Sequence, residues 1–201
     1  MHPNPAFRQA DTGRALAFAR SRGFGVLCVA GPEGPALAHV PFLASADGAW
    51  ADLHLVRSNP VARLAPAQAA IAVSGPDGYV SPDWYGVPDQ VPTWNYVAVH
   101  LRGTLEPLPV AAMRDMLDRQ SAAYEARLAP KAPWHADKMA PDALARMMRQ
   151  ILPFRLRIEG IESTFKLSQN KPEPVRHAAA DRMAEGMGQD LAALAALMRD
   201  V

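Results

Sequence analysis

With 201 residues, 49% of them hydrophobic and 20% charged, the chain suits one compact globular domain with a sizeable core, with or without a helical appendage. The formal net charge is +1 and acids and bases are spread evenly; no basic run tracks a phosphate backbone, so direct DNA binding is possible but not supported by the sequence. Cys28, the single cysteine, excludes an intrachain disulfide and a cysteine-based zinc cluster; no apolar stretch reaches bilayer length and the proline-broken start has no signal-peptide core, so a cytoplasmic protein with no membrane partner is expected.

Asp11 and Thr12 are caps for a first helix over 13–22, which Gly23 ends. Strands are predicted over 24–30, 36–43 and 49–56, joined by the turn formers Gly31-Pro32-Glu33-Gly34-Pro35 and Ala46-Asp47-Gly48. Asn59-Pro60 opens a short helix over 60–65, and 68–74 reads as a buried strand. Residues 75–93, with Gly75-Pro76-Asp77-Gly78 and three further prolines, read as an irregular binding loop carrying Tyr79, Trp84 and Tyr85. A long alternating strand follows over 94–106, then helices over 109–124 and 141–150, a strand over 154–167, and a last helix with Met187, Leu191, Leu194 and Met198 on one face. Short strands with tight turns and peripheral helices predict an α+β fold, mainly antiparallel β, built as a barrel. No GxGxxG, P-loop or GxSxG sequence occurs, which removes dinucleotide, P-loop and serine-hydrolase readings.

Three segments carry chemistry. His54-Leu55-Val56-Arg57-Ser58-Asn59-Pro60 runs from a strand into a helix start; Arg57, Ser58 and Asn59 form either an anion cradle or a solvated arginine beside an N-cap. Thr93-Trp94-Asn95-Tyr96 either flanks a flat heteroaromatic ligand or closes one end of the barrel. Phe165-Lys166-Leu167-Ser168-Gln169-Asn170-Lys171 either donates to ligand carbonyls or is a strand end with exposed lysines. His39, His54 and His100 fall on predicted strands, but without metal-ligand spacing no metal site is expected.

Ala38-His39-Val40-Pro41, His54-Leu55-Val56-Arg57-Ser58-Asn59-Pro60, Ser81-Pro82-Asp83-Trp84-Tyr85, Val91-Pro92-Thr93-Trp94-Asn95-Tyr96 and Phe165 to Asn170 resemble, in that order, the signatures of the PaiB-type FMN-binding negative transcriptional regulators. The resemblance covers most of 1–172. It implies an FMN-binding split β-barrel with peripheral helices over 1–172 and a C-terminal helical extension over 173–201. It further implies a homodimer with FMN near the subunit interface. Arg57 would pair with the FMN phosphate, aided by His54, Leu55, Ser58 or Asn59. His39, Val40, Pro41 and Phe42 would line the isoalloxazine, and Trp94, Asn95 and Gln169 would approach from the partner chain or the barrel rim. The Gly86-Val87-Pro88-Asp89-Gln90 loop is shorter than in relatives and lacks their lysine. The implied function is regulation through bound flavin; the alternative is an FMN-dependent reductase or oxidase, since the flavin supplies the redox chemistry either way.

Overall fold

The structure, a computed structural model, describes residues 1–8 and 11–201. Its elements are α1 (Thr12–Arg22), β1 (Phe24–Gly31), β2 (Gly34–Ala44), β3 (Trp50–Val56), β4 (Ala67–Val80), β5 (Thr93–Pro107), α2 (Met113–Glu125), α3 (Pro141–Met148), β6 (Ile151–Lys166), α4 (Glu173–Arg182), β7 (Gly188–Gln189) and α5 (Leu191–Arg199). The strands form an antiparallel seven-stranded sheet in the order β1-β2-β3-β6-β5-β4-β7, and a further pairing of β1 with β4 closes it. Closure leaves β1 and β4 without open edges along the paired stretch, where Val26 faces Ala72 and Val29 faces Ala69. The chain divides into two compact units: unit 1 is 1–18, 73–100 and 161–201, and unit 2 is 19–72 and 101–160.

Unit 2 holds the closing strands. Alternate residues of β1 to β3 turn inward, so that Leu27, Val29, Val40, Phe42, Leu53 and Leu55 are buried. The β1–β2 hairpin turns at Pro32 and Glu33, with Gly34 at φ +113°, a conformation that glycine reaches without steric cost. On the outward face of β3, Asp52 is fully buried and pairs with Arg155 of β6 at 2.7 Å and Arg119 of α2 at 3.0 Å. The Tyr124 hydroxyl of α2 lies 2.7 Å from the Gly23 carbonyl and 2.6 Å from that of Phe42, so one proton serves two acceptors. At Gly103 in β5 an added Cβ would stand 1.8 Å from the Arg157 carbonyl oxygen; β5 and β6 approach this closely only because no side chain intervenes.

In unit 1, α4 and α5 pack through Ala179, Ala180, Met183, Leu194 and Met198. The buried Arg176 donates from Nε to the Met198 carbonyl at 2.7 Å, giving that helix end a cationic partner. α4 was not resolved by sequence patterning, whose last helix began only near 187. The predicted loop also changes: β4 continues through Gly75-Pro76-Asp77-Gly78 to Val80 and pairs with β7, Asp77 opposite Gln189. The glycines there answer to crowding rather than to turning. A Cβ at Gly75 would meet Phe18 at 2.5 Å, and one at Gly78 would meet Leu194 at 2.9 Å. Of the predicted loop, Pro82–Tyr85 forms a 3-10 turn and only the segment from there to Pro92 is irregular. Other predicted bounds shift: 60–65 is a short 3-10 turn over Pro60–Arg63, 109–124 opens with a 3-10 turn over Val110–Ala112, and β6, expected from 154, starts at Ile151.

Candidate functional site

The turn after β3, in unit 2, places Arg57 and Ser58 in solvent. The Arg57 amide donates to the Gln150 carbonyl at 2.9 Å and its Nε to the Arg149 carbonyl. The Nε bond orients the guanidinium, and its two terminal nitrogens make no hydrogen bond among the described residues. Ser58 makes none either. Asn59 shapes the turn: its Oδ1 accepts from the Val61 amide at 3.0 Å and so caps the Pro60–Arg63 turn. That amide is engaged, so the anion-binding capacity here rests on Arg57 and Ser58 rather than on a helix terminus.

The other unit 2 residues fall on two faces. Val40, Phe42 and Leu55 point into the barrel core. His39 is exposed on β2 and stacks with Phe24, ring centroids 6.3 Å apart at 29°. Pro41 shares its face, half-buried. Phe24 and Leu37, 53% and 60% exposed, make this outer face of β1 and β2 apolar, continued by the half-buried Val26 and Cys28. His54 lies instead on the face of β3 that carries Asp52. Its Nδ1 is buried without a partner, and so is Nε2 of Gln120 in α2. Burial holds the His54 pKa below its ordinary value, with a smaller opposing effect from Gln120, so the ring is neutral near pH 7.

This burial has a pH consequence. The unfolded chain protonates His54 near the ordinary 6.5, whereas the folded chain does so only at lower pH. In that window the unfolded state binds the extra proton, so stability present above 6.5 declines as pH falls toward the folded value. His54→Gln is expected to flatten this part of the profile. Urea midpoints at several pH values between 7.5 and 5 check it; parallel profiles for the two proteins would refute it.

In unit 1 the three sequence signatures converge. Tyr85, Asn95 and Ser168 are buried together: the Tyr85 hydroxyl lies 2.8 Å from Ser168 Oγ, and Asn95 Nδ2 donates to the same Oγ at 2.9 Å and to Met198 Sδ at 3.4 Å. These bonds hold Ser168 at φ +62°, an uncommon conformation for a residue with a side chain. Burial raises the Tyr85 pKa, with the Ser168 bond opposing it. Lys166 donates from Nζ to Thr93 Oγ1 and, at 2.7 Å, to the Trp94 carbonyl; burial lowers its pKa. Lys171 donates to Gln90 and sits 5.3 Å over the Tyr85 ring. These groups line a cavity of about 190 Å³. Gln169 does not line it: its Nε2 donates to the carbonyls of Ala6, at 3.1 Å, and Phe165, and its Oε1 accepts from the Leu167 amide at 2.8 Å. Trp94 is 45% exposed, with its ring edge-on to Tyr79. The sequence marks Lys166 and Lys171 as able to offset negative charge, but not the residues they bond to. Their partners lie about 70 to 80 positions away, and the only hint was a polar residue in each signature.

Described this way, the chain is an antiparallel split barrel of the flavin-binding kind with helices at its periphery. Two solved structures share the fold. The FAD and heme binding protein of Mycobacterium smegmatis matches with a TM-score of 0.56 at 17% identity, over 79% of this chain and 73% of that one. The flavocytochrome Anf3 of Azotobacter vinelandii matches with a TM-score of 0.59 at 14% identity, over 82% and 72%. The family model FMN_bind_2, "Putative FMN-binding domain", matches residues 1–160. The protease synthase and sporulation protein PAI 2 of Bacillus subtilis is 28% identical over 198 residues, 96% of this chain and 94% of that protein. The chain belongs to this PaiB-type FMN-binding family, and FMN is its cofactor.

Proposed function

We propose that this chain is a cytoplasmic, homodimeric regulator of the PaiB type, which holds FMN by its phosphate at the Arg57 turn and acts through the state of that flavin. The observation that carries the reading is the turn itself. A guanidinium oriented by the Arg149 carbonyl, with its terminal nitrogens and the Ser58 hydroxyl unengaged among the described residues, is a donor set matched to a phosphate. The bound group supplies reversible electron uptake by its isoalloxazine. Around it, His39 and Pro41 offer a flat, partly apolar surface, and Asn59 keeps the turn in shape. The exposed Phe24 and Leu37 support a second chain as the cover for the outer face of β1 and β2, because apolar neighbours on one sheet face gain most when paired.

Regulation through flavin, rather than by reading DNA directly, is supported by the charge layout. Arg155 is neutralised by Asp52, and Arg157 by Glu159 at 3.1 Å and Glu106 at 3.5 Å. Two of the four arginines between Arg146 and Arg157, the most basic stretch of the sequence, are thereby compensated, which lowers the charge it presents to a phosphate backbone. The test is titration of flavin-free protein with FMN and with riboflavin, followed by NADH and NADPH oxidation by the loaded protein. FMN is expected to bind about tenfold or more tighter, from charge-assisted bonds of ~1.5–3 kcal/mol, with no turnover of either nucleotide. Equal affinities would remove the phosphate assignment; sustained turnover would favour the reductase.

A further inference from the structure

The unit 1 cavity has an electrostatic imbalance that the flavin reading does not use. Neither Lys166 nor Lys171 has a carboxylate within 4.0 Å among the described residues, and the Lys166 ammonium is partly withdrawn from water. Beside them, Asn95 is 0% exposed, yet its Oδ1 accepts no hydrogen bond. Turning the carboxamide over would leave the nitrogen unmatched at the same place. Two unpaired cations and one unmatched buried polar atom thus share a cavity of about 190 Å³.

We propose that this cavity is a binding site for a small carboxylate that also carries an O–H or N–H donor, with Lys166 and Lys171 taking the carboxylate and Asn95 Oδ1 accepting from the donor. Lys166 has three N–H donors and directs them to two protein acceptors, and Lys171 directs one to Gln90, so each retains a donor for an anion. Charge favours a monoanion. Asp89 lines the same cavity, leaving two positive charges against one negative, which a carboxylate balances and a phosphate dianion exceeds. Size points the same way. The cavity measures about 190 Å³. That is below the ~300 Å³ at which sites for larger ligands begin, so the cavity suits a small acid better than the whole of FMN.

A water molecule could satisfy Asn95 but would leave the cavity with an excess positive charge. A carboxylate with a donor meets both needs, and the Tyr85–Ser168–Asn95 bonds hold the acceptor in place before it arrives. Such a site would make the flavoprotein responsive to a small metabolite acid. It is independent of the Arg57 assignment, because the two sets of residues do not overlap.

The experiment is calorimetric titration of the full-length, FMN-loaded protein with L-lactate, with propionate as the same frame lacking the hydroxyl, and with inorganic phosphate. Lactate is expected to bind about tenfold or more tighter than propionate, the hydroxyl meeting the otherwise unmatched Asn95, and phosphate more weakly than lactate. Lys171→Gln is expected to weaken lactate about tenfold, Lys171→Arg to restore most of the loss, and the FMN affinity of both to be unchanged. No heat with lactate at tens of millimolar (~50 mM, well above the Kd such bonds imply) would overturn the proposal. So would equal binding of lactate and propionate, a preference for phosphate, or an unaltered Lys171→Gln. Lactate binding seen only in flavin-free protein would place the flavin in the cavity and overturn it as well. The propionate comparison uses the native protein, so the proposal stays open to refutation if a variant does not fold.

Discussion

Replacing Arg57 with alanine is expected to weaken FMN binding by about 10- to 100-fold while leaving riboflavin binding unchanged. The expectation follows from where the side chain sits. Arg57 is exposed and contributes nothing to the barrel core, but its Nε is held by the Arg149 carbonyl, so the guanidinium loses little further freedom on meeting a phosphate. Charge-assisted bonds of ~1.5–3 kcal/mol convert, at about 1.4 kcal/mol per decade, to that range of affinity. Arg57→Lys keeps the charge without the bond to Arg149 and should fall between. Fluorescence titration with both flavins reads the result, and circular dichroism reports on the fold. If riboflavin affinity fell in parallel, Arg57 would be shaping the site rather than binding the phosphate.

Asp52→Ala is expected to cost about 3 kcal/mol of stability, the largest loss from any single charge in unit 2. The carboxylate is fully buried and meets Arg155 through two bonds, at 2.7 and 2.9 Å, and Arg119 at 3.0 Å. The Arg155 and Arg119 guanidinium groups also lie over the Trp50 ring, at 4.3 and 5.5 Å. Breaking a buried pair by deleting one partner costs ~3–5 kcal/mol. The low end applies because both arginines are about a third exposed and water can reach them once the carboxylate is gone. For both guanidinium groups the pKa is raised; Asp52 is the leading cause for Arg155, and Asp115 precedes it for Arg119. Against a typical total of ~5–15 kcal/mol the loss is large. Urea unfolding at constant slope measures it, and a loss under ~1 kcal/mol, the value of an exposed pair, would contradict the assignment. Asp52→Asn keeps an acceptor and should lose less.

Much of the barrel is legible in the sequence because its signals are local. Alternation in 94–106 marks which residues turn inward, the apolar runs 24–30 and 36–43 mark strands without telling their faces, and the hairpin turns carry their own glycines. The misreading at 75–80 has a physical origin: glycine serves both to turn a chain and to let another element come close, and a single sequence does not distinguish the two. Gly75 beneath Phe18 and Gly78 beneath Leu194 are the second kind. The Asp52 cluster was illegible for another reason. Its three members lie on β3, α2 and β6, with Arg119 and Arg155 67 and 103 positions from Asp52, so no local pattern marks them as partners. The candidate site divides in the same way. Arg57, Ser58 and Asn59 are consecutive and could be read together, whereas the Lys166–Thr93 and Lys171–Gln90 pairs exist only after folding.

Gly103 bears on what this chain can become. Its missing Cβ is the space that the Arg157 carbonyl occupies, at 1.8 Å from where that carbon would be. Backbone, unlike a side chain, has no alternative rotamer by which to yield, so the smallest addition, a single methyl group, must move a strand. Sequence drift through alanine, the usual neighbour of glycine in mutational space, is therefore closed at this position. Homologous chains can exchange Leu for Ile across the barrel wall and repack, but here they inherit one residue or a differently spaced pair of strands.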